Sequence, residues 1–168
     1  MVNAMFKKLI LIFIMVLNGF TIDIPSVEAQ KIYSNIPGTV VKVYDGDTIT
    51  LQNNNGVYKI RLSGIDAPES RQAYGNVSRN YLYNMVRDRF VYAEVHSKDR
   101  YGRYVAKIIL NNTDVNAEML RAGLAWHYKQ YNKDFEYARL EQEAKRSKRG
   151  LWMEKNPIPP WIYRKNKK

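Results

Sequence analysis

Three short segments carry residue types that could do chemistry together. VYDGDTITL (Val43–Leu51) places Asp45 and Asp47 on either side of one glycine, RLSGIDAPE adds Arg61, Asp66 and Glu69, and DRYGR ends on Arg103. Carboxylates are the hard oxygen donors that divalent cations choose, and a working site keeps waters beside a few of them. Asp47 and Asp66 stand at the ends of neighbouring predicted strands, where they could converge on one ion. Glu69, three residues beyond Asp66, is close enough to face a nearby water. Arg61 and Arg103 offer the forked donors that suit phosphate oxygens. Metal and base carboxylates with two guanidiniums are what phosphodiester hydrolysis demands.

Each segment alone has a plainer explanation. Asp-Gly is a strong hairpin-turn signal, Asp66-Ala67-Pro68-Glu69 could open a helix, and DRYGR could be a glycine turn with solvated arginines. The combination separates the readings, because a turn, a helix start and a loop have no need of one another.

The elements that must position these groups follow from periodicity. TVVKVY and TITLQ flank the DGD turn, and VYKIRLSGI follows a second turn at NNNG. In that third run Tyr58, Ile60 and Leu62 alternate with Lys59, Arg61 and Ser63, which makes one face apolar and sends Arg61 from the other. A helix is expected next, with Asn76 as its N-cap and Val77, Tyr81 and Met85 recurring beside Leu82 and Val86. FVYAEVH and YVAKIIL give two more strands. Asn116 can cap a short helix over AEMLRA that ends at Gly123, and a last helix spans roughly Asp134 to Lys148 with Tyr137, Leu140 and Ala144 on one side. Five strands and three packed helices suit a small closed barrel of the oligonucleotide-binding (OB-fold) type, an α+β arrangement with a shallow exposed face.

Composition sets the surroundings. Among 168 residues Lys and Arg number 27 against 16 Asp and Glu, a formal excess of +11 that attracts polyanions such as nucleic acid or an anionic envelope surface. There is no cysteine, which excludes disulfides, thiolate metal sites, a cysteine nucleophile and a lipid anchor on sulfur. The start of the chain has Lys7 and Lys8, an apolar run from Leu9 to Leu17, and small residues at Val27 and Ala29, the layout of a secretory signal with cleavage before Gln30. The run falls short of the roughly 18 residues of a membrane span. These 29 residues hold two charges of each sign (Lys7, Lys8, Asp23, Glu28), so the basic excess survives their removal. The expected organisation is a signal peptide over 1–29, a linker over 30–38, the barrel domain over 39–152, and a Pro-rich basic tail over 153–168. NPIPPWIYRKNKK is read as extended, with its RKNKK end solvated. His96 and His127 are read as structural or exposed, and Trp126, Trp152 and Trp161 as packing residues.

VYDGDTITL, IRLSGIDAPES, DRYGRYVAKI, VNAEMLRAGLAW and KRGLW, in this order and spacing, resemble the staphylococcal nuclease (thermonuclease) family from about Thr39 to Trp152. The resemblance implies an OB-fold barrel with three helices and a calcium-dependent endonuclease that cuts DNA and RNA on the 5′-oxygen side, leaving 3′-phosphates. It puts calcium on Asp47, Asp66 and the backbone carbonyl of Ala67, the general base on Glu69, and the catalytic arginines on Arg61 and Arg103. Asp45 falls behind the metal ligands, and Tyr101 falls beside the nucleotide pocket. Two departures stand out: Ala67 replaces a threonine of some members, and the link from Glu69 to Gly75 is shorter than the basic loop others carry. No base-stacking residue is assigned around Tyr128 and Tyr131. A monomer with no obligate protein partner is expected, with weak membrane or envelope association through its charge. The competing readings are a non-catalytic OB-fold nucleic-acid binder and a cell-envelope-associated protein; neither needs Arg61, Asp66, Glu69 and Arg103 together.

Overall fold

The computed structural model describes residues 34–166; the proposed signal segment lies outside the described residues. β1 (Ser34–Val43), β2 (Thr48–Asn53), β3 (Gly56–Leu62), β5 (Phe90–Lys98) and β6 (Tyr104–Leu110) form a sheet in the order β3-β2-β1-β5-β6, and β6 returns to pair with β3. That last pairing is parallel, with Ile60 opposite Tyr104, Arg61 opposite Val105 and Leu62 opposite Ala106. The result is a closed five-stranded barrel, which removes the free edges of an open sheet.

β1 serves two partners. Its first half, from Ser34, pairs with β5, and its second half pairs with β2, with a register shift between Val40 and Lys42. Residues 34–38, expected as linker, are therefore strand. The inward positions Val40, Ile49, Leu51, Ile60, Leu62, Val91, Ala93, Ala106 and Ile108 are buried, as the alternation along VYKIRL anticipates for β3. Two short strands lie apart from the barrel as a pair of their own: β4 (Ile65–Asp66) lies antiparallel to β8 (Trp126–His127), so Asp66 sits opposite Trp126. β7 (Thr113–Asp114) extends the sheet beside β6.

Four helices are described where three were expected. α1 (Gly75–Val86) is capped by Tyr74 in a left-handed conformation (φ 62°), not by Asn76. Its packed stripe is Ser78, Leu82 and Val86, while Val77 and Tyr81 face solvent. The expected stripe at Val77 and Tyr81 fails because Ser78 is the residue that reaches inward, its Oγ donating to Leu124 O at 2.7 Å. α2 (Val115–Arg121) is capped by Asp114, whose carboxylate accepts from Ala117 N at 2.9 Å. Asn116, expected as that cap, is buried instead: Nδ2 donates to Ser63 O (2.9 Å) and Ala106 O (3.3 Å), and Oδ1 accepts from Ile108 N (3.1 Å). The side chain thus ties the end of β3 to β6 where the barrel closes. α3 (Phe135–Arg146) is capped by Asp134 and buries Tyr137, Leu140 and Ala144, as expected.

The fourth helix, α4 (Pro160–Lys165), lies in the tail that was expected to be extended. Proline is tolerated at a first helical position, where its missing N–H is not needed and its φ is already helical. Pro160 occupies that position and is buried. Among the described residues no helix is long and apolar enough to cross a membrane.

Asn116→Ala would leave Ile108 N and Ser63 O buried without these partners, whereas Ala106 O still accepts from Ser63 N. Lost partners of this kind cost about 2–4 kcal/mol in all. Urea unfolding should register a loss of that size, and a loss well under ~1 kcal/mol would contradict the role given to Asn116.

Candidate active site

The β1–β2 connection delivers the first carboxylate. Tyr44 N donates to Thr48 O at 2.9 Å and Asp47 N to Asp45 Oδ1 at 3.0 Å, so Asp45 braces the turn from within. Gly46 is needed here for close approach: a Cβ at that position would lie 1.8 Å from Ser78 Oγ and 2.7 Å from Ala67 Cβ. The turn is pressed between α1 and the segment after β4. That pressure sets Asp47 against Ala67, whose N–H donates to Asp47 Oδ2 at 2.6 Å, while Thr48 Oγ1 donates to Oδ1 at 3.1 Å.

β4 delivers the second carboxylate, and Asp66 is almost completely buried. Arg61 reaches both acids from the outer face of β3: Nη1 lies 3.0 Å from Asp47 Oδ2 and Nη2 lies 2.9 Å from Asp66 Oδ1. Nη1 also donates to Leu62 O at 3.1 Å, which fixes the plane of the fork. Burial pushes the Asp47 carboxyl well above the usual carboxylate range; Arg61 pulls the other way, Asp45 and Asp66 add to the rise, and the Ala67 N–H opposes it.

Glu69 sits on a short turn after β4. Its N–H donates to Gln72 Oε1 at 3.1 Å and its carbonyl accepts from Gln72 N at 2.8 Å. Gly75 backs directly onto it, since a Cβ there would lie 2.0 Å from Glu69 O. The Glu69 side chain, about 40% exposed, points into reach of solvent.

Asp47, Asp66 and Arg61 are thus brought into direct contact, with Glu69 joined to them through a shared partner. Arg103 is held differently. It pairs with Asp99 (Nε to Oδ2, 2.7 Å) and lies two residues before Val105, the register partner of Arg61. Burial raises the Asp99 carboxyl, but the Arg103 side chain and the backbone N–H groups of Arg103 and Tyr101 outweigh it and hold it low. Tyr101 is 69% exposed on the same loop, with the Arg100 and Arg103 guanidiniums 5.0 and 5.6 Å from its ring.

The shared partner of Glu69 and Asp66 is Arg164 of α4, a residue read from the sequence as part of a solvated tail. Its Nη2 lies 2.7 Å from Asp66 Oδ2, and its Nη1 lies 3.2 Å from Asp66 Oδ1 and 2.8 Å from Glu69 Oε1. The available signal was the helix start at Pro160 followed by two aromatics in PWIYRK. His127 is buried with Nε2 3.0 Å from Asn132 Oδ1, which fits its structural reading.

All four carboxylate oxygens of Asp47 and Asp66 face N–H, hydroxyl or guanidinium donors, so the pocket draws positive charge wherever it can be had. A hard divalent cation fits that demand and that donor chemistry, and would reverse the upward push on Asp47. Among the described residues no group of three or more His, Cys, Asp or Glu is gathered to hold an ion, so carbonyl and water oxygens would have to complete its shell.

Barrel and site together define a class: an OB-fold protein with an acidic, arginine-bridged cleft. The model of the staphylococcal nuclease homologue family matches residues 59–154. An uncharacterized endonuclease of Escherichia coli O157:H7 is 42% identical over 135 residues, 80% of this chain and 88% of the relative. One from Haemophilus influenzae is 41% identical over 130 residues, covering 77% and 73% of the two chains. The staphylococcal-like nuclease CAN1 of Arabidopsis thaliana is 46% identical over 111 residues, 66% of this chain but 34% of that longer protein. The chain belongs to the staphylococcal nuclease homologue family.

Gly46→Ala tests how tightly the acidic turn is held. Overpacking of this kind costs about 1–3 kcal/mol, and the cost of Gly46→Ala should be smaller when measured in a Ser78→Gly background than in the wild type. Equal urea midpoints for wild type and Gly46→Ala would show that the turn has slack.

Proposed function

We propose that this nuclease is an exported, calcium-dependent endonuclease that hydrolyses DNA and RNA and leaves 3′-phosphate ends. The observation that carries this reading is one fork, Arg61, bridging two buried carboxylates beside Glu69. A protein that only held nucleic acid would gain nothing from placing buried negative charge next to a polyanion.

Asp47 and Asp66, with the Ala67 carbonyl, would hold the ion. Bound calcium supplies positive charge to the phosphate that water alone would not. Glu69 takes a proton from a water positioned on phosphorus. As the water oxygen bonds to phosphorus, the bond to the 5′-oxygen breaks and that oxygen leaves with a proton taken up from solvent, while Glu69 returns its own proton to solvent afterwards. Arg61 then turns its donors from the carboxylates to the phosphate oxygens, where charge grows in the transition state. Arg103 does the same from the β6 side, and Tyr101, on the loop with it, lies against the nucleotide. Asp45 keeps Asp47 in place through its hold on the turn.

Cleavage should stop when calcium is chelated, and magnesium, stricter about octahedral geometry, should bind without efficient turnover. Undiminished cutting in chelator contradicts the metal assignment. Glu69→Gln keeps the volume and removes the proton acceptor. A positioned base contributes about 10²–10⁴-fold, so turnover should fall by that factor while DNA affinity stays level. Wild-type turnover in Glu69→Gln would mean another group is the base.

Export through residues 1–29 rests on the sequence pattern. N-terminal sequencing of protein from culture supernatant should begin at or near Gln30; a full-length Met1 form held in the membrane would instead support an anchor.

A further inference from the structure

α4 lies across the proposed active site, and its contacts are those of a docked element. Trp161 stacks on Tyr128 with ring centroids 5.4 Å apart and planes 9° from parallel, and meets Trp126 edge-on at 5.6 Å. Tyr163 Oη donates to Arg71 O at 2.9 Å, and Gln72 Nε2 donates to Ile158 O just ahead of the helix. Gln72 also receives the Glu69 N–H, so the segment leans on the turn that positions Glu69. From this platform Arg164 forks onto both oxygens of Asp66 and onto Glu69.

We propose that α4 is a self-inhibitory strap, with Arg164 competing against the cation and the substrate for Asp66 and Glu69. This rests on the reading of Asp66 as an ion ligand and Glu69 as the base. Asp66 Oδ1 accepts from Arg61 and Arg164 and Oδ2 accepts from Arg164, so an ion cannot use both oxygens freely while Arg164 is docked, and Arg164 also occupies Glu69 Oε1. The competitor is tethered: residues 154–159 form no regular element between the turn at Gly150–Met153 and α4, so Arg164 acts at a high effective concentration whatever the protein concentration. It is also displaceable. The Arg164 side chain is 43% exposed and its pair with the equally open Glu69 is of the weak, solvent-exposed kind, so a polyanion can draw the guanidinium away, and a divalent ion can take over the charge it supplies to the buried Asp66. The aromatic stack, independent of charge, sets the resting position.

Calcium binding to the purified mature protein without nucleic acid, measured by calorimetry, tests the strap directly. Arg164→Ala should bind calcium more tightly, by about 5- to 20-fold for a coupling of ordinary size. Trp161→Ala, which keeps Arg164 but removes the stack, should shift affinity in the same direction. Lys155→Ala, an exposed charge with no part in the contact, should leave it unchanged and so control for lost positive charge. Cleavage by Arg164→Ala should be faster than wild type at low calcium and converge on it at saturation. Calcium affinity equal in wild type and both variants overturns the strap and leaves the calcium reading standing. Weaker calcium binding in Arg164→Ala overturns it too, and slower cutting with weaker DNA binding overturns it and makes Arg164 a ligand of the substrate. Absence of calcium binding in every form removes the calcium reading and the strap with it.

Discussion

Two carboxylates buried side by side repel each other and lose the water that would have solvated them. Asp47 and Asp66 pay both penalties, and the surrounding structure is arranged to offset them. Arg61 spans the pair, the Ala67 N–H and Thr48 hydroxyl bind Asp47, and Arg164 binds Asp66. Removing one partner of such a buried network is strongly destabilising, while the network as a whole adds little net stability. Under the proposed function, what the network offers is exchange: guanidiniums for a divalent ion, and carboxylate contacts for phosphate contacts.

The barrel exists in service of that cluster. Parallel closure of β3 on β6 puts Arg61 and the entry of Arg103 on neighbouring strands of the outer face. Asn116 binds both sides of the closure. Ser78 and Ala67 leave room only for a glycine at position 46, and the backbone of Glu69 leaves room only for a glycine at position 75. These contacts are steric and therefore stiff, which suits groups whose function depends on placement within fractions of an ångström.

Much of this was legible in residue order. Alternation along VYKIRL gave the inward and outward faces of β3, and the DGD spacing marked Asp47, because strand period and turn chemistry are local properties. The caps of α1 and α2 were less legible: Asn76 and Asn116 have the right chemistry, but Tyr74 and Asp114 take the positions because Ser78 and Asn116 are drawn inward to tertiary partners. Tertiary demand overrode a local preference at both. The tail was missed for a related reason. A cationic end after three prolines carries every local sign of solvation, and its helix is fixed by Tyr128 and Asp66, some 33 and 98 residues away in sequence from Trp161 and Arg164. Arg103 was read as a guanidinium for the phosphate, and its pairing with Asp99 was not legible, since DRYGR does not announce that its first and last residues bind each other.

The central claim is that the Asp47–Asp66 cleft exchanges guanidinium for calcium. A crystal structure of the mature protein grown with calcium, read by anomalous scattering at the ion, tests it most directly. The account predicts one ion held by carboxylate oxygens of Asp47 and Asp66 and by the Ala67 carbonyl, with Arg164 withdrawn from Asp66. An ion bound elsewhere, or a cleft still closed by Arg61 and Arg164 at saturating calcium, would contradict it.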